Sequence, residues 1–172
     1  MRLHIGGEEI KEGWKILNIQ KKPGVDFIGD ITDLSQFDDE SVEEIYASHV
    51  LEHVGLAKIA ATFNGLLRIL KKEGKLYISV PNLDIIAKIF VLLPEGQDKY
   101  NVMAMIYGGQ TDSHDFHYIG YWPNLLFSIL TNAKFKRYEK VEFFNIFKDT
   151  SNMTVKILNG LIPISLNVIA YK

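Results

Sequence analysis

His49-Val50-Leu51-Glu52-His53 sets two histidines four residues apart with a glutamate between them. That is the inverted zinc-protease order, in which both histidines bind the metal and the glutamate is the base. Such chemistry needs all three side chains on one helix, with an added ligand from elsewhere. His49 comes immediately after an apolar run of strand length, Glu44–Ala47, so the pair straddles a strand–helix junction and loses its common face. No metal is therefore expected, and Glu52 and His53 read as tying this turn to neighbouring backbone. A second polar cluster is Thr111-Asp112-Ser113-His114-Asp115-Phe116-His117. It is either a surface loop between helices or one wall of a binding site. Tyr107, Tyr118, Tyr121 and Trp122 surround it and read as helix packing or as pocket lining.

A third set of residues closes short apolar runs: Gly6-Gly7-Glu8, Asn18 to Gln20, Gly29-Asp30-Ile31, Ser48-His49 and Pro81-Asn82. In open α/β sheets, ligands bind beyond the carboxyl ends of the strands. A nucleoside needs this assortment: close backbone approach, a ribose partner and a base-edge partner. Singly, glycine and aspartate also just terminate strands.

The elements that must position these residues are legible from punctuation and period. Leu3–Ile5, Lys15–Ile19, Val25–Ile28, Glu44–Ala47 and Lys75–Val80 have strand length and are bounded by turn residues. From Leu56 to Leu70, apolar side chains recur at Ile59, Ala60, Phe63, Leu66, Leu67 and Leu70, the three-four spacing of one helical face. Lys71 and Lys72 suit a helix C-terminus, and Gly74 follows as a stop. Strand, helix, strand is a crossover unit, which demands a parallel sheet with helices on its faces. Residues 85–93, 100–107 and 123–132 read as helices. Lys134–Phe144 and Ile162–Tyr171 read as strands with no helix between them, hence as an antiparallel pair.

Composition narrows the class. The 172 residues are 47% hydrophobic with formal net charge −2, enough for one domain with a sizeable core. The absence of cysteine excludes disulfides, thiolate metal sites and cysteine nucleophiles. Nineteen basic against twenty-one acidic residues leave no electrostatic footprint for duplex binding, so no nucleic-acid partner is expected. The first residues lack the apolar core of a secretory signal, and Ile85–Leu93, broken by Lys88, is too short to span a bilayer. A soluble, cytoplasmic domain without membrane contact is the expectation, with that aliphatic run available for core packing or for a homodimer.

Longer stretches carry a resemblance. Gly29-Asp30-Ile31-Thr32-Asp33-Leu34, then 39–53 with Leu51-Glu52-His53, then 67–81 with Arg68-Ile69-Leu70-Lys71-Lys72-Glu73-Gly74, resemble the type 11 family of class I S-adenosylmethionine-dependent methyltransferases. The resemblance covers residues 2–83, while 107–117 and 163–167 resemble a small subset of predicted methyltransferases. It implies a Rossmann-like α/β fold: a mostly parallel sheet, helices on both faces, and a last strand inserted antiparallel. One domain would span 1–172, with a cofactor half at 1–83, a helical acceptor-side segment at 84–132 and the C-terminal strand pair at 133–172.

By the same resemblance, Gly6, Gly7, Asn18, Asp30, Ile31, Ser48 and His49 hold S-adenosylmethionine, and the 110–118 loop faces a small-molecule or saccharide-like acceptor. Methyl transfer is an in-line displacement, so most of its catalysis is positioning. A hydroxyl or amine acceptor must also lose a proton, for which histidine is suited. His114 or His117 would take it, oriented by Asp115 or Asp112. The departures are specific. Glu8 stands where the family has its second loop glycine, and Asn18 where it has the ribose carboxylate. Glu8 either pairs with the cofactor's amino group or crowds the methionyl carboxylate. About ten residues separate Gly7 from the next strand, too few for a full first helix. Lys11 at the third glycine position argues against a dinucleotide site. The alternatives are a non-catalytic binding module with a degenerate cofactor site, and a zinc hydrolase.

Overall fold

The structure, a computed structural model, describes residues 1–157 and 160–172. Its strands are β1 (Arg2–Ile5), β2 (Trp14–Asn18), β3 (Phe27–Ile28), β4 (Val42–Ser48), β5 (Leu70–Pro81), β6 (Arg137–Val141), β7 (Thr154–Ile157), β8 (Gly160–Pro163) and β9 (Ser165–Tyr171). The helices are α1 (Ile59–Ile69), α2 (Leu83–Leu92), α3 (Gln97–Tyr107) and α4 (Pro123–Asn132). The main sheet runs β3-β2-β1-β4-β5-β9-β6. β1 to β5 pair in parallel, and β9 is antiparallel to both β5 and β6. The expected parallel sheet with an inserted antiparallel strand is therefore observed.

Strand alternation sorts the side chains. Leu3, Ile5, Ile45, Ala47, Leu76, Ile78, Val80, Leu166 and Val168 form one buried face, under Phe63, Leu66 and Ile69 of α1 and Leu126 and Leu130 of α4. The Arg68 guanidinium donates from α1 to the carbonyls of Leu34 (2.8 Å) and Phe37 (2.9 Å), fixing the loop that follows β3. β5 begins earlier than the turn residues suggest. Leu70 pairs with Val42 directly after α1, and the ladder resumes at Lys75 after a shift that absorbs 71–74 as a bulge.

The opposite face is aromatic and is covered differently. Residues 6–13 join the parallel strands β1 and β2 without a helix, shorter than the dozen residues such a crossover ordinarily needs. The 142–153 segment covers the gap. Phe147 stacks on His4 (4.0 Å between centroids) and packs against Trp14 and Tyr46 (5.2 and 4.8 Å). Tyr46 donates its hydroxyl toward Asp149 or Ser151, both 3.1 Å away. Helices thus surround the sheet unevenly, with this stretch of chain standing where a first helix does not fit.

At the C-terminal side, the strand expected over 162–171 is two strands. β8 pairs with β7 in a separate hairpin, and the chain turns at Ile164 before β9 enters the main sheet. Ile164 packs with Ile86, Ile89 and Val102 of the α2–α3 pair. Of the aliphatic run in α2, Ile86 and Ile89 are inward while Val91 and Leu92 remain exposed. No helix among the described residues is long and apolar enough to cross a membrane.

Candidate functional site

The carboxyl ends of β1, β2, β3 and β4 open on to one cleft of about 820 Å³. Gly6, Asn18, Asp30, Ile31 and His49 line it from the strand ends, and Thr111 to Asp115 line it from the loop after α3. Gly6 has φ +75°, donates its amide to Leu17 O (2.8 Å) and leaves no room for a β-carbon, which would lie 2.4 Å from Val50 Cγ2. Gly7 does not line the cleft. It packs on the His4 ring, and its carbonyl accepts from Asn18.

Asn18 uses both ends of its amide. Nδ2 donates to Gly7 O (3.3 Å) and Oδ1 accepts from Gln20 N (2.9 Å), so the side chain braces the β1 loop against the β2 exit. A carboxylate could not donate to Gly7 O, which is a structural reason for the amide here. Glu8 lines the cleft, and its carboxylate pairs with Lys22 across the rim. Asp30 caps its own turn, Oδ1 accepting from Thr32 N (2.8 Å), while Ile31 is buried in the core beneath. Ser48 does not line the cleft; its buried hydroxyl has no hydrogen-bond partner among the described residues.

His49 is the sharpest feature of the β4 exit. It has φ +52°, a conformation that non-glycine residues adopt sparingly and that clusters at functional sites. Its amide is held by Ser79 O (2.8 Å), its Nε2 faces Ser165 Oγ (3.0 Å), and its Nδ1 lies 3.2 Å from Glu52 Oε1. A 3₁₀ turn follows over Leu51–His53. The expected backbone tie is present, Tyr118 N donating to Glu52 O (2.8 Å) and the His53 ring bonding Phe116 O (3.0 Å). His49 and His53 do not share a helical face, as their separation across the junction required.

The polar loop is a closed unit. Gly108, at φ +83°, admits no β-carbon because Asp115 O would lie 2.2 Å away, and Gln110 N donates to that carbonyl (3.0 Å). Asp115 does not orient a histidine: Oδ2 accepts from Thr111 N (3.2 Å) and Oγ1 (2.8 Å). Burial pushes its carboxyl up, but those bonds outweigh it and hold its pKa below the ordinary value. Asp112 accepts from the backbone of His114 (2.7 Å), not from its ring. His117 turns away from the cleft, Nδ1 bonding Met105 O (3.1 Å), and burial keeps its pKa below that of a free imidazole despite Glu52 nearby. His114 alone of the two histidines faces the cleft. Lys22, Val50 and Lys58 also line it and were not singled out by sequence. They lie in turns whose side-chain direction depends on packing between distant segments.

Residues 7–78 match the family described as Methyltransferase domain, of type 11. No curated protein matches the chain. The fold is that of an S-adenosylmethionine-dependent methyltransferase from Archaeoglobus fulgidus, at 18% identity, TM-score 0.61, with 99% of this chain and 85% of that chain covered. A Thermotoga maritima methyltransferase described as a possible histamine N-methyltransferase superposes with TM-score 0.61 at 13% identity, covering 99% and 81%. The Burkholderia thailandensis 1,6-didemethyltoxoflavin-N1-methyltransferase, bound to its substrate and S-adenosylhomocysteine, gives TM-score 0.54 at 12% identity, covering 92% and 60%. Residues 7–78 thus match the type 11 methyltransferase family, and the whole chain has the fold of class I S-adenosylmethionine-dependent methyltransferases.

Proposed function

We propose that this chain methylates a hydroxyl or amine of a small-molecule or saccharide-like acceptor within the cleft beyond β1 to β4. The observation that carries the reading is that Gly6, Asn18, Asp30, Ile31 and His49, from separate strand ends, share one cavity with the 111–115 loop. When bound, S-adenosylmethionine supplies an electrophilic methyl group on a sulfonium. Gly6 admits close backbone approach, Oδ2 of Asp30, not used in the Thr32 bond, offers an acceptor for ribose or base, and the apolar Ile31 side chain supports the base. His114 takes the acceptor's proton, whereas His117 and Asp115 hold the loop in shape. The Thermotoga and Burkholderia proteins, named for small amine and nitrogen-heterocycle chemistry, lend support to a small acceptor.

A second reading, a binding module without catalysis, is favoured by the committed Asn18 amide and by the Glu8–Lys22 pair at the rim. A thermal-shift titration with S-adenosylmethionine and S-adenosylhomocysteine, backed by calorimetry, separates the two. Binding to the native state alone adds about 2.7 kcal/mol at a hundredfold excess over Kd, a rise of several degrees in Tm at this size. The expected result is a saturable shift that Asp30→Ala abolishes, with turnover lowered in His114→Ala at unchanged S-adenosylhomocysteine affinity. A folded protein that shows no shift at millimolar ligand overturns the enzyme reading.

A further inference from the structure

Glu52 is 1% exposed, and neither of its carboxylate oxygens has a hydrogen-bond partner among the described residues. A buried carboxylate is costly unless something positive and well placed offsets it. The groups at ion-pair distance are imidazoles: His49 Nδ1 at 3.2 Å, off hydrogen-bond geometry, and His117 Nε2 at 4.0 Å. His53 completes the cluster, its ring 4.8 Å from that of His117.

The far side of each ring decides what its near side offers. A backbone carbonyl only accepts, so His53 Nδ1 donates to Phe116 O (3.0 Å) and His117 Nδ1 donates to Met105 O (3.1 Å). In the neutral rings, both Nε2 atoms are then bare lone pairs. Ser165 has one hydroxyl proton; with that proton given to Thr150 O (2.9 Å), it accepts from His49 Nε2, which leaves His49 Nδ1 as a third lone pair beside Glu52. Acceptor-only atoms gathered around a buried carboxylate repel one another, and a cation resolves them.

We propose that Glu52, His53 and His117 bind a divalent transition-metal ion of zinc(II) or iron(II) type, with His49 beside the same carboxylate. One ligand atom from each of the three lies within 4.8 Å of the others. Two imidazoles and one carboxylate are the donor set of open zinc and non-haem iron sites, and imidazole donors disfavour magnesium or calcium. The Nδ1–H to carbonyl bonds are the outer contacts that fix the tautomer and orientation of metal-binding histidines. Metal–ligand distances near 2.1 Å require donors no more than about 4.2 Å apart. Half-buried His53 is the side chain placed to close that gap by rotation. The site differs from the inverted zinc-protease pattern: His117 arrives from the loop after α3, fifty positions or more from the others in sequence. Such an ion would fasten that loop to the β4 exit at the cleft wall, whether or not the cleft performs methyl transfer.

The test uses the untagged full chain, stripped with chelator and dialysed, then titrated with Co(II) and separately with Zn(II). Visible d–d absorption saturating at one equivalent is expected, with Zn(II) displacing Co(II) and raising Tm. Glu52→Gln and His53→Ala should each weaken Co(II) at least tenfold, while His114→Ala, on the same loop, binds as wild type. No absorption band, or binding unchanged in both variants, overturns the site. If Glu52→Gln does not fold, His53→Ala, which removes no buried charge, decides alone. Titrating S-adenosylhomocysteine into the metal-free chain separates failure of this site from failure of the cofactor cleft.

Discussion

Asn18, read from the resemblance as standing where the family carries a carboxylate, makes contacts that show what an amide achieves there locally. The amide links Gly7 O to Gln20 N, joining two loops that no helix braces. Asn18→Asp puts a carboxylate against the Gly7 carbonyl and leaves that buried acceptor unpaired, a cost of about 1–3 kcal/mol. Urea denaturation at neutral pH should show that loss. An unchanged midpoint would mean that the brace contributes nothing. The departure at Asn18 was plain in the sequence, but its reason was not, because Gly7 meets Asn18 only after β1 and β2 pair. Glu52 is the same case: its partners come from the β4 exit and from the loop after α3, and spacing along one element cannot bring His117 to it.

At the scale of elements, periodicity was informative wherever one face decides burial. The helix read over 123–132 is α4 as observed, and Ile59, Phe63 and Leu66 of α1 point inward as their spacing required, whereas Ala60 is exposed and Ile69, outside that spacing, is buried. It was uninformative where an apolar run crosses from one sheet to another. Residues 162–171 look continuous, yet the chain leaves the β7–β8 hairpin at Ile164 and enters the main sheet at Ser165. The aromatic cover over β1, β2 and β4 was also hidden, since 142–153 has no regular period and its role follows from the missing first helix. Phe147, 3% exposed, is the keystone of that cover. Phe147→Ala should cost about 3–5 kcal/mol, as much as a core position under α1, although it lies in a loop. Equilibrium unfolding checks this, and a loss below about 1 kcal/mol would show the segment to be loosely laid on the sheet.

For the whole molecule, acid stability traces to buried rings, of which His4 is shifted furthest, with His117 lowered in the same sense. Burial lowers the His4 pKa from 6.5 to about 4, against the opposing pull of Asp149 and Glu9. The folded state therefore keeps His4 neutral, while the unfolded chain takes up a proton below about pH 6.5. This stabilising contribution is complete above pH 6.5, falls as the pH drops, and is gone near pH 4. The linked loss is about 3 kcal/mol. Unfolding free energies measured from pH 7.5 down to 4 should show that slope, and His4→Leu should flatten it. A slope of equal size in the variant would assign the acid sensitivity elsewhere.

The placement of β9 between β5 and β6 also orders events in time. β6 has no partner in the sheet other than β9, which lies downstream of it across residues 142–164. At translation rates of about 5–20 residues per second, β6 waits on the ribosome for about one to five seconds before that partner is made. Meanwhile β5 presents an unpaired edge that carries Ile78 and Val80. The nascent chain is thus most exposed to edge-to-edge association in that interval, and slower elongation through 142–164 would lengthen its dependence on chaperones.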